Sequence, residues 1–269
     1  MQPGTEISFD KTVNFRELGG YRSADGRTVR WGQLYRCGNL DVLRDSPADW
    51  QKLCGLGIRS VLDLRSAGEA ALHPDPALPS AESVRLCAML HDDGSEMDFS
   101  PAGISRLDEE KSRYDAQQGR VTSDFEWFSM IYCRMPFGNP AYHRMFELLQ
   151  AHQTPLLFHC SAGKDRTGIA AMLILLALGI NDQTALDDYM LTNVYRRAVI
   201  EASLEGLSEQ EKEMQLSVEG VNRKMGAGTL QAILQRHGSY DAYFEAEYGL
   251  NAVRLAALRD YYLEDVDSF

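Results

Sequence analysis

The ten residues 159–168 carry the residue types with which a protein can do chemistry on an anion. They read His-Cys-Ser-Ala-Gly-Lys-Asp-Arg-Thr-Gly and are termed the Cys160 loop. The apolar run 156–158 before the loop is typical of a buried strand, and the almost wholly apolar stretch 168–180 after it has the length of a buried helix. The loop is therefore predicted to join a strand to a helix, where unpaired backbone N–H groups and the helix dipole favour a bound anion.

Two residues of the Cys160 loop are candidates for catalysis of phosphoryl transfer. A thiol at a helix N-terminus beside an arginine has a pKa well below the ordinary value of about 8.5, so Cys160 is the candidate nucleophile. The planar guanidinium of Arg166 can bind two oxygens of a phosphoryl group and stabilise its charge. His159 is predicted to orient the loop from behind. Six further positions of the loop are predicted to bind the substrate, namely Ser161, Ala162, Gly163, Lys164, Thr167 and Gly168.

A second polar pair follows another predicted core strand, which covers residues 58–64. Asp63 and Arg65 lie at its carboxyl end, where open α/β sheets bind their ligands. A strand-end ion pair that supports the loop is favoured over a direct catalytic role, because such pairs are common. Further along the chain, Arg223 and Lys224 could reach outer phosphates of a substrate, although adjacent surface cations are usually solvated.

The composition is that of an ordinary globular chain, with 269 residues, 44% hydrophobic and 25% charged. A net charge of −12 disfavours nucleic acid as a partner. The longest apolar run would span about 20 Å as a helix, which is too short to cross a bilayer. Five cysteines at spacings of neither zinc sites nor disulfide scaffolds, and an N-terminus without a signal pattern, predict a cytoplasmic protein. The oligomeric state is not predicted.

The elements around the loop predict one α/β domain over residues 1–269. Residues 14–66 are predicted to form a hairpin with an Asp25-Gly26 turn, a helix that begins at Ser46 and Pro47, and the first core strand. The polar, weakly periodic residues 98–123 are a candidate lid. The loop and the central helix occupy residues 155–180, and residues 181–269 are predicted to be a helical C-terminal part.

The Cys160 loop resembles the signature of the cysteine-dependent protein tyrosine phosphatases, Cys-x5-Arg. Within that superfamily, several segments are similar to the bacterial and fungal tyrosine/serine and phosphoinositide phosphatases: residues 14–21, 34–36, 62–66 with Glu69, and 238–250. The resemblance covers about residues 14–263. It implies a three-layer fold with a mostly parallel sheet between helices, and a two-step reaction through a phosphocysteine without metal or other cofactor.

The resemblance also implies a general acid, which must protonate the leaving oxygen. Asp92 follows the predicted strand 84–90, and Asp165 lies inside the Cys160 loop as in relatives that carry Lys-Asp-Arg. Both are candidates, with Asp93 as a neighbouring alternative, because the tryptophan-proline-aspartate pattern of many relatives is absent. Asp165 also has a structural interpretation, since a carboxylate at a helix N-terminus complements the helix dipole.

The predicted substrates are phosphorylated proteins, above all phosphotyrosine, with phosphoserine/threonine or phosphoinositides beside them. Lys164 could reach a second phosphate on an inositol ring, as in phosphoinositide phosphatases that share Ala-Gly-Lys. A dedicated phosphoinositide phosphatase is therefore an alternative. A pseudophosphatase that binds phosphate without releasing it is disfavoured, because Cys160 and Arg166 are both present.

Overall fold

A five-stranded sheet lies at the centre of the computed structural model, which describes residues 2–79 and 81–266. The other five residues of the predicted domain lie outside the described ranges. The strand order is β1 (Arg16–Glu17), β3 (Leu34–Cys37), β6 (Leu156–His159), β4 (Ser60–Asp63) and β5 (Glu82–Arg85). β3, β6, β4 and β5 are parallel, and β1 joins the edge antiparallel to β3. The predicted α/β fold with a mostly parallel sheet is confirmed.

Helices cover both faces of this sheet, which makes three layers. Leu156 and Phe158 of β6 pack in the larger apolar cluster, whereas Leu157 belongs to a smaller cluster on the opposite face. Successive side chains of β6 therefore pack on opposite faces of the sheet, each against a different layer of helices. The helices are α1 (Pro47–Gly55), α2 (Ala67–Leu72), α3 (Ile104–Gln118), α4 (Asp124–Arg134), α5 (Pro140–Gln150), α6 (Arg166–Ala177), α7 (Asp182–Tyr195), α8 (Arg197–Ser203), α9 (Glu209–Glu219), α10 (Arg223–His237), α11 (Tyr240–Tyr248) and α12 (Ala252–Tyr262), with a 3₁₀ helix at Asp41–Asp45.

The predicted N-terminal hairpin forms only in part. A turn closes at Asp25-Gly26, where the Ser23 amide donates to the Arg27 carbonyl at 2.8 Å. Across this turn, the short strand β2 (Thr28–Val29) pairs with residues 20–22, as a hairpin requires. On its other side β2 pairs with β7 (Leu263–Glu264) near the C-terminus, and β1 pairs with β3. Val29 and Leu263 are both buried, so the β2–β7 pairing adds two apolar side chains to the interior.

The helix starts follow the local capping chemistry. Ser46 and Asn139 accept hydrogen bonds from the first turns of α1 and α5, each of which begins at a proline. Ser123 forms a capping box with Glu126 at the start of α4. Among the helices of residues 2–79 and 81–266, none combines the length and the apolar character that crossing a bilayer requires.

The central helix α6 is buried at every residue and is fitted closely to its neighbours. The ring of Tyr189 on α7 lies between two glycines, Gly168 of α6 and Gly226 of α10. A Cβ on Gly168 would lie 2.7 Å from Cδ2 of Tyr189, and one on Gly226 would lie 3.0 Å from Cδ1. The absence of a side chain at both positions lets three helices meet around one aromatic ring.

This packing can be tested with two Gly→Ala substitutions in helices. Gly168→Ala is expected to lower the unfolding free energy by about 1–3 kcal/mol, because its Cβ would overlap Tyr189. Gly228→Ala is the control, since its Cβ would meet only Cys133 Sγ at 3.7 Å, and it should gain up to about 1 kcal/mol from helix propensity. Urea unfolding measures both, and equal effects would contradict the proposed packing.

Candidate active site

The Cys160 loop connects β6 to α6 and forms the floor of a pocket of about 500 Å³. Cys160 lies at this floor and is 1% exposed. Within the described ranges, the amide N–H groups of residues 161–166 donate no hydrogen bond to another residue. Unpaired amides at the N-terminus of a buried helix bind anions, so the floor of the pocket is suited to an oxyanion.

The surroundings of Cys160 favour its thiolate. Burial alone would raise the pKa of the thiol, but the charge of Arg166 and the hydroxyl and amide of Thr167 outweigh burial and lower the pKa below its ordinary value. The buried Thr167 hydroxyl has no hydrogen-bond partner in the described chain apart from this sulfur. Burial instead raises the pKa of Cys37, Cys87 and Cys133. Among these four cysteines, Cys160 alone has a lowered pKa, which is the property expected of a candidate nucleophile.

Arg166 is held by a carboxylate to which the sequence reasoning assigned no role. Its guanidinium forms a two-point ion pair with Glu69, with 2.7 Å from Nη2 to Oε1 and 2.5 Å from Nη1 to Oε2. The Ser161 hydroxyl donates to the same Oε1 at 2.6 Å. Burial would raise the pKa of Glu69, but the hydrogen bonds and charge of Arg166 lower it to about 2. Glu69 therefore orients Arg166 toward the pocket as a permanent anion.

A sequence signal for Glu69 did exist. Ser66 and Glu69 form a capping box at the start of α2, directly after strand β4. The pattern predicts a helix start at the carboxyl end of a core strand, but it does not show that the carboxylate faces a residue 97 positions later.

Asp165 is the candidate acid that the structure brings to the pocket. It lines the pocket beside Cys160 and Arg166. The Tyr132 hydroxyl, from α4, donates a hydrogen bond to its Oδ1, and the Lys164 ammonium lies 3.3 Å from its Oδ2. These two contacts fix the carboxylate at the pocket wall.

Asp92 and Asp93 lie elsewhere. Asp92 forms an ion pair with Arg134, is 84% exposed, and lines a different pocket with Glu110 and Trp127. Asp93 accepts hydrogen bonds from Ser95 and lies 3.2 Å from Arg106. The loop after β5 therefore points these carboxylates away from Cys160 in this structure.

His159, Asp63 and Arg65 form a cluster behind the loop, together with Asp75. His159 Nε2 lies 2.9 Å from Asp75 Oδ2, and Arg65 pairs with Asp63 and Asp75 at 2.8 Å each. Burial would lower the pKa of His159, but the hydrogen bond and charge of Asp75 raise it. The pair of Asp63 and Arg65 is thus a buried ion pair, as the sequence reasoning favoured.

Three residues of this cluster also carry potential metal ligands. Asp63, Asp75 and His159 offer ligand atoms within 4.8 Å of one another. The Arg65 guanidinium is already paired with both carboxylates, so a metal ion would be placed beside a fixed positive charge. The residues therefore fit an ion-pair cluster and do not fit a metal ion.

The predicted substrate-binding residues divide into two groups. Ser161, Ala162 and Lys164 line the pocket. Gly163, Thr167 and Gly168 lie behind it: Gly163 contacts strand β3, Thr167 faces the sulfur, and Gly168 packs against Tyr189. The second group shapes the loop and is absent from the pocket lining, although the Gly163 amide belongs to the unpaired amides of the loop.

The pocket walls are largely apolar and come from segments far apart in the chain. One side carries Phe99, Phe125, Phe128 and Tyr132, and the other carries Val218, Val221 and Met225. Of the candidate lid 98–123, residues 99–101 line the pocket, whereas α3 lies outside it. Lys164 Nζ contacts the carbonyls of Val218 and Gly220 at the end of α9. Arg223 pairs with Asp187 on the surface, and Lys224 is exposed.

Comparison with known proteins places the chain in a family. A model of the tyrosine phosphatase family matches residues 7–264. The chain belongs to this family. It is 35% identical over 188 residues to a Cupriavidus necator protein described as a candidate tyrosine-protein phosphatase, which covers 70% of this chain and 63% of that protein. The chain thus spans less than two thirds of that relative's length.

Two further relatives and one solved structure are similar to the chain. The triple specificity protein phosphatase PtpB of Mycobacterium tuberculosis is 28% identical over 260 residues, which covers 86% of this chain and 89% of PtpB. A tyrosine-protein phosphatase of Nostoc commune is 26% identical over 211 residues, with coverage of 78% and 64%. The crystal structure of P. aeruginosa TpbA in complex with phosphotyrosine matches with 15% identity, covering 77% of this chain and 89% of that chain, at a TM-score of 0.32.

The ion pair of Glu69 predicts a pH-dependent contribution to stability. The pKa of Glu69 is about 2 in the fold against an ordinary value of 4.5, so its contribution is complete above about pH 4.5 and is lost as the pH falls toward 2. Glu69→Gln is expected to lower the unfolding free energy by about 3 kcal/mol at neutral pH and by less in acid. Urea unfolding across this range measures the difference. The exposed Glu82 provides the control Glu82→Gln. A destabilisation by Glu69→Gln that does not vary with pH would contradict the assignment of Glu69 as an ionised partner of Arg166.

Proposed function

We propose that this protein is a phosphomonoesterase that removes phosphate from phosphotyrosine through a phosphocysteine at Cys160. The observation that carries the proposal is a buried thiol with a lowered pKa at the floor of a pocket that Arg166 also lines, in a loop whose amides have no partner among the described residues. Membership of the tyrosine phosphatase family supports the same function.

In the first chemical step the Cys160 thiolate attacks phosphorus, an S–P bond forms, and the bond from phosphorus to the leaving oxygen breaks. The amides of the Cys160 loop and the guanidinium of Arg166 stabilise the three equatorial oxygens as charge spreads over them. Glu69 keeps Arg166 in a single orientation, so little reorganisation is needed as the transition state forms.

Asp165 donates the proton that the leaving oxygen takes up. In the second step its carboxylate accepts a proton from water, the water oxygen bonds to phosphorus, and the S–P bond breaks to release inorganic phosphate and the thiolate. Its place at the pocket beside Cys160 supports this role over Asp92, which lines a different pocket.

The walls of the pocket support an aromatic phosphate ester as the preferred substrate. Phe99, Phe128 and Tyr132 offer aromatic and apolar surface to the ring that follows the phosphate. Phosphoserine/threonine and phosphoinositides belong to the proposed wider range, which the name of the relative PtpB, a triple specificity protein phosphatase, supports.

A dedicated phosphoinositide phosphatase is the second candidate, and Lys164 is the residue that favours it. A cation in the Cys160 loop suits a substrate with an additional phosphate. In this structure, however, Lys164 Nζ contacts the Val218 and Gly220 carbonyls and lies 3.3 Å from Asp165 Oδ2. These contacts compete with a second phosphate, so phosphotyrosine is the first choice.

Phosphate release with EDTA present tests the function. We expect the wild type to hydrolyse a phosphotyrosine peptide, and Cys160→Ser to lose at least about a thousandfold in rate, because a hydroxyl is a far weaker nucleophile at neutral pH. A phosphoinositide is assayed in parallel with the peptide.

Three outcomes would contradict this proposal in different ways. Activity that survives in Cys160→Ser, or that chelator abolishes in the wild type, would exclude the phosphocysteine mechanism. A large preference for the phosphoinositide would favour the second candidate. Binding of phosphopeptide without phosphate release would indicate a pseudophosphatase.

A comparison of two aspartates tests the general acid. Asp165→Asn is expected to lower kcat on phosphotyrosine by about 10²- to 10⁴-fold, and by much less on an aryl phosphate whose leaving phenol needs no proton. Asp92→Asn, the matched control, should stay within about twofold because Asp92 is solvated and distant from the pocket. The reverse pattern would assign the acid to Asp92.

A further inference from the structure

A buried group of charged residues lies directly behind the Cys160 loop and takes no part in the mechanism described above. Arg16 of β1 and Arg36 of β3 both pair with Asp188 of α7, at 3.1 Å and 2.7 Å, and all three side chains are 0% exposed. The Tyr21 hydroxyl donates to Asp188 at 3.0 Å, and Asn14 accepts a hydrogen bond from Arg16. These residues are termed the Asp188 cluster.

The Asp188 cluster contacts the loop at two carbonyls, those of Gly163 and Ala162, and the Ala162 carbonyl accepts only a longer bond of 3.4 Å from Asn14 Nδ2. The Gly163 carbonyl accepts a hydrogen bond from Arg36 Nη2 and another from Asn14 Nδ2, each at 2.9 Å. A Cβ on Gly168, in the first turn of α6, would lie 3.6 Å from Arg36 Nη2. The Arg36 guanidinium therefore lies between the loop and the start of the helix that follows Cys160.

The charges of the cluster do not cancel. Among the described residues, Asp188 is the only carboxylate in ion-pair contact with Arg16 or Arg36, so two guanidinium groups share one carboxylate. A net positive charge that is fully buried is costly unless an anion lies nearby. Arg166, by contrast, is already neutralised by its two-point pair with Glu69.

The Cys160 thiolate is an anion on the loop side of the cluster. Burial, and then the charge of Arg16, lower the pKa of Arg36 to about 10, while charge on Asp188 and on Cys160 opposes this shift. The interaction is mutual, so the Arg36 guanidinium favours ionised Cys160.

We propose that Arg36 is a positioning residue that balances the charge of the Cys160 thiolate from behind the loop and fixes the Gly163 carbonyl. The loop amides then stay directed at the pocket while the cation stabilises the sulfur from the buried side. The inference rests on the proposed role of Cys160 as the nucleophile, and it gives a function to the N-terminal segments 14–21 and 34–36.

The test is the ionisation of Cys160 itself, which needs no substrate. Iodoacetamide alkylation at Cys160, quantified by peptide mass spectrometry over roughly pH 4 to 9, reports the thiolate. Besides Arg36, five groups interact with this sulfur, and each single substitution below leaves them unchanged: Arg166, Asp165, Thr167, Cys37 and Tyr142. Glu6 and Tyr195 lie at the outer edge of the Asp188 cluster.

Three variants separate charge from packing. Arg36→Gln removes the charge and can keep a donor for Gly163, and it leaves Arg16 and Asp188 as a balanced pair. The midpoint of alkylation should rise by about one pH unit or more, so that the rate at a pH below the midpoint falls about tenfold. Arg36→Lys keeps the charge and should stay near the wild type. Arg30→Gln is the control, because Arg30 is exposed and, among the described residues, its side chain bonds only to the Leu263 carbonyl.

An unchanged midpoint in folded Arg36→Gln would overturn the proposal, and so would equal rises in Arg36→Gln and Arg36→Lys. If Arg36→Gln does not fold, Arg36→Lys decides, since a rise of about one unit with the charge retained would assign Arg36 a packing role. Phosphate release by the wild type is measured separately. An absence of phosphate release would refute the proposed function. The alkylation profiles would still test whether Arg36 stabilises the Cys160 thiolate.

Discussion

The Cys160 loop crosses the end of strand β3 so closely that only glycine fits at the crossing. Gly163 has a φ of 65°, and a Cβ there would lie 2.5 Å from the Cys37 carbonyl oxygen. The Ser161 carbonyl also accepts a hydrogen bond from the Asn39 amide at 3.0 Å. The carbonyls of the loop are thus bound to the sheet on one side, which leaves the amides free on the other. The anion site depends on this crossing.

The parts of the fold that depend on neighbouring residues could be predicted from the sequence. The strand before Cys160, the buried helix after it, and the helix starts at Ser46 and Ser123 follow from apolar runs and capping residues. The β2–β7 pairing could not, because its partners are separated by most of the chain and the local turn specifies only the partner on the other side of β2. Turn chemistry identifies where the chain reverses, but not which strand completes the sheet.

The candidate site likewise has one part that could be predicted from the sequence and another that could not. Cys160 and Arg166 belong to one loop, so their proximity follows from the spacing of a strand-loop-helix unit. Glu69, Asp75 and Asp188 approach the loop from distant elements, and carboxylates of that kind resemble any other capping or surface residue in the sequence. Their arrangement surrounds the loop with ion pairs on three sides, and each guanidinium is fixed before an oxyanion arrives.

Lys164 connects this loop to the last turn of α9 through the carbonyls of Val218 and Gly220. Carbonyls at a helix C-terminus attract cations because they carry the negative end of the dipole. A substrate with a second anionic group would draw the same ammonium away from α9. Under the proposed function, ligand choice at this pocket would be a competition between the substrate and a helix terminus for one cation, and the α9 side of the pocket would contribute to selectivity.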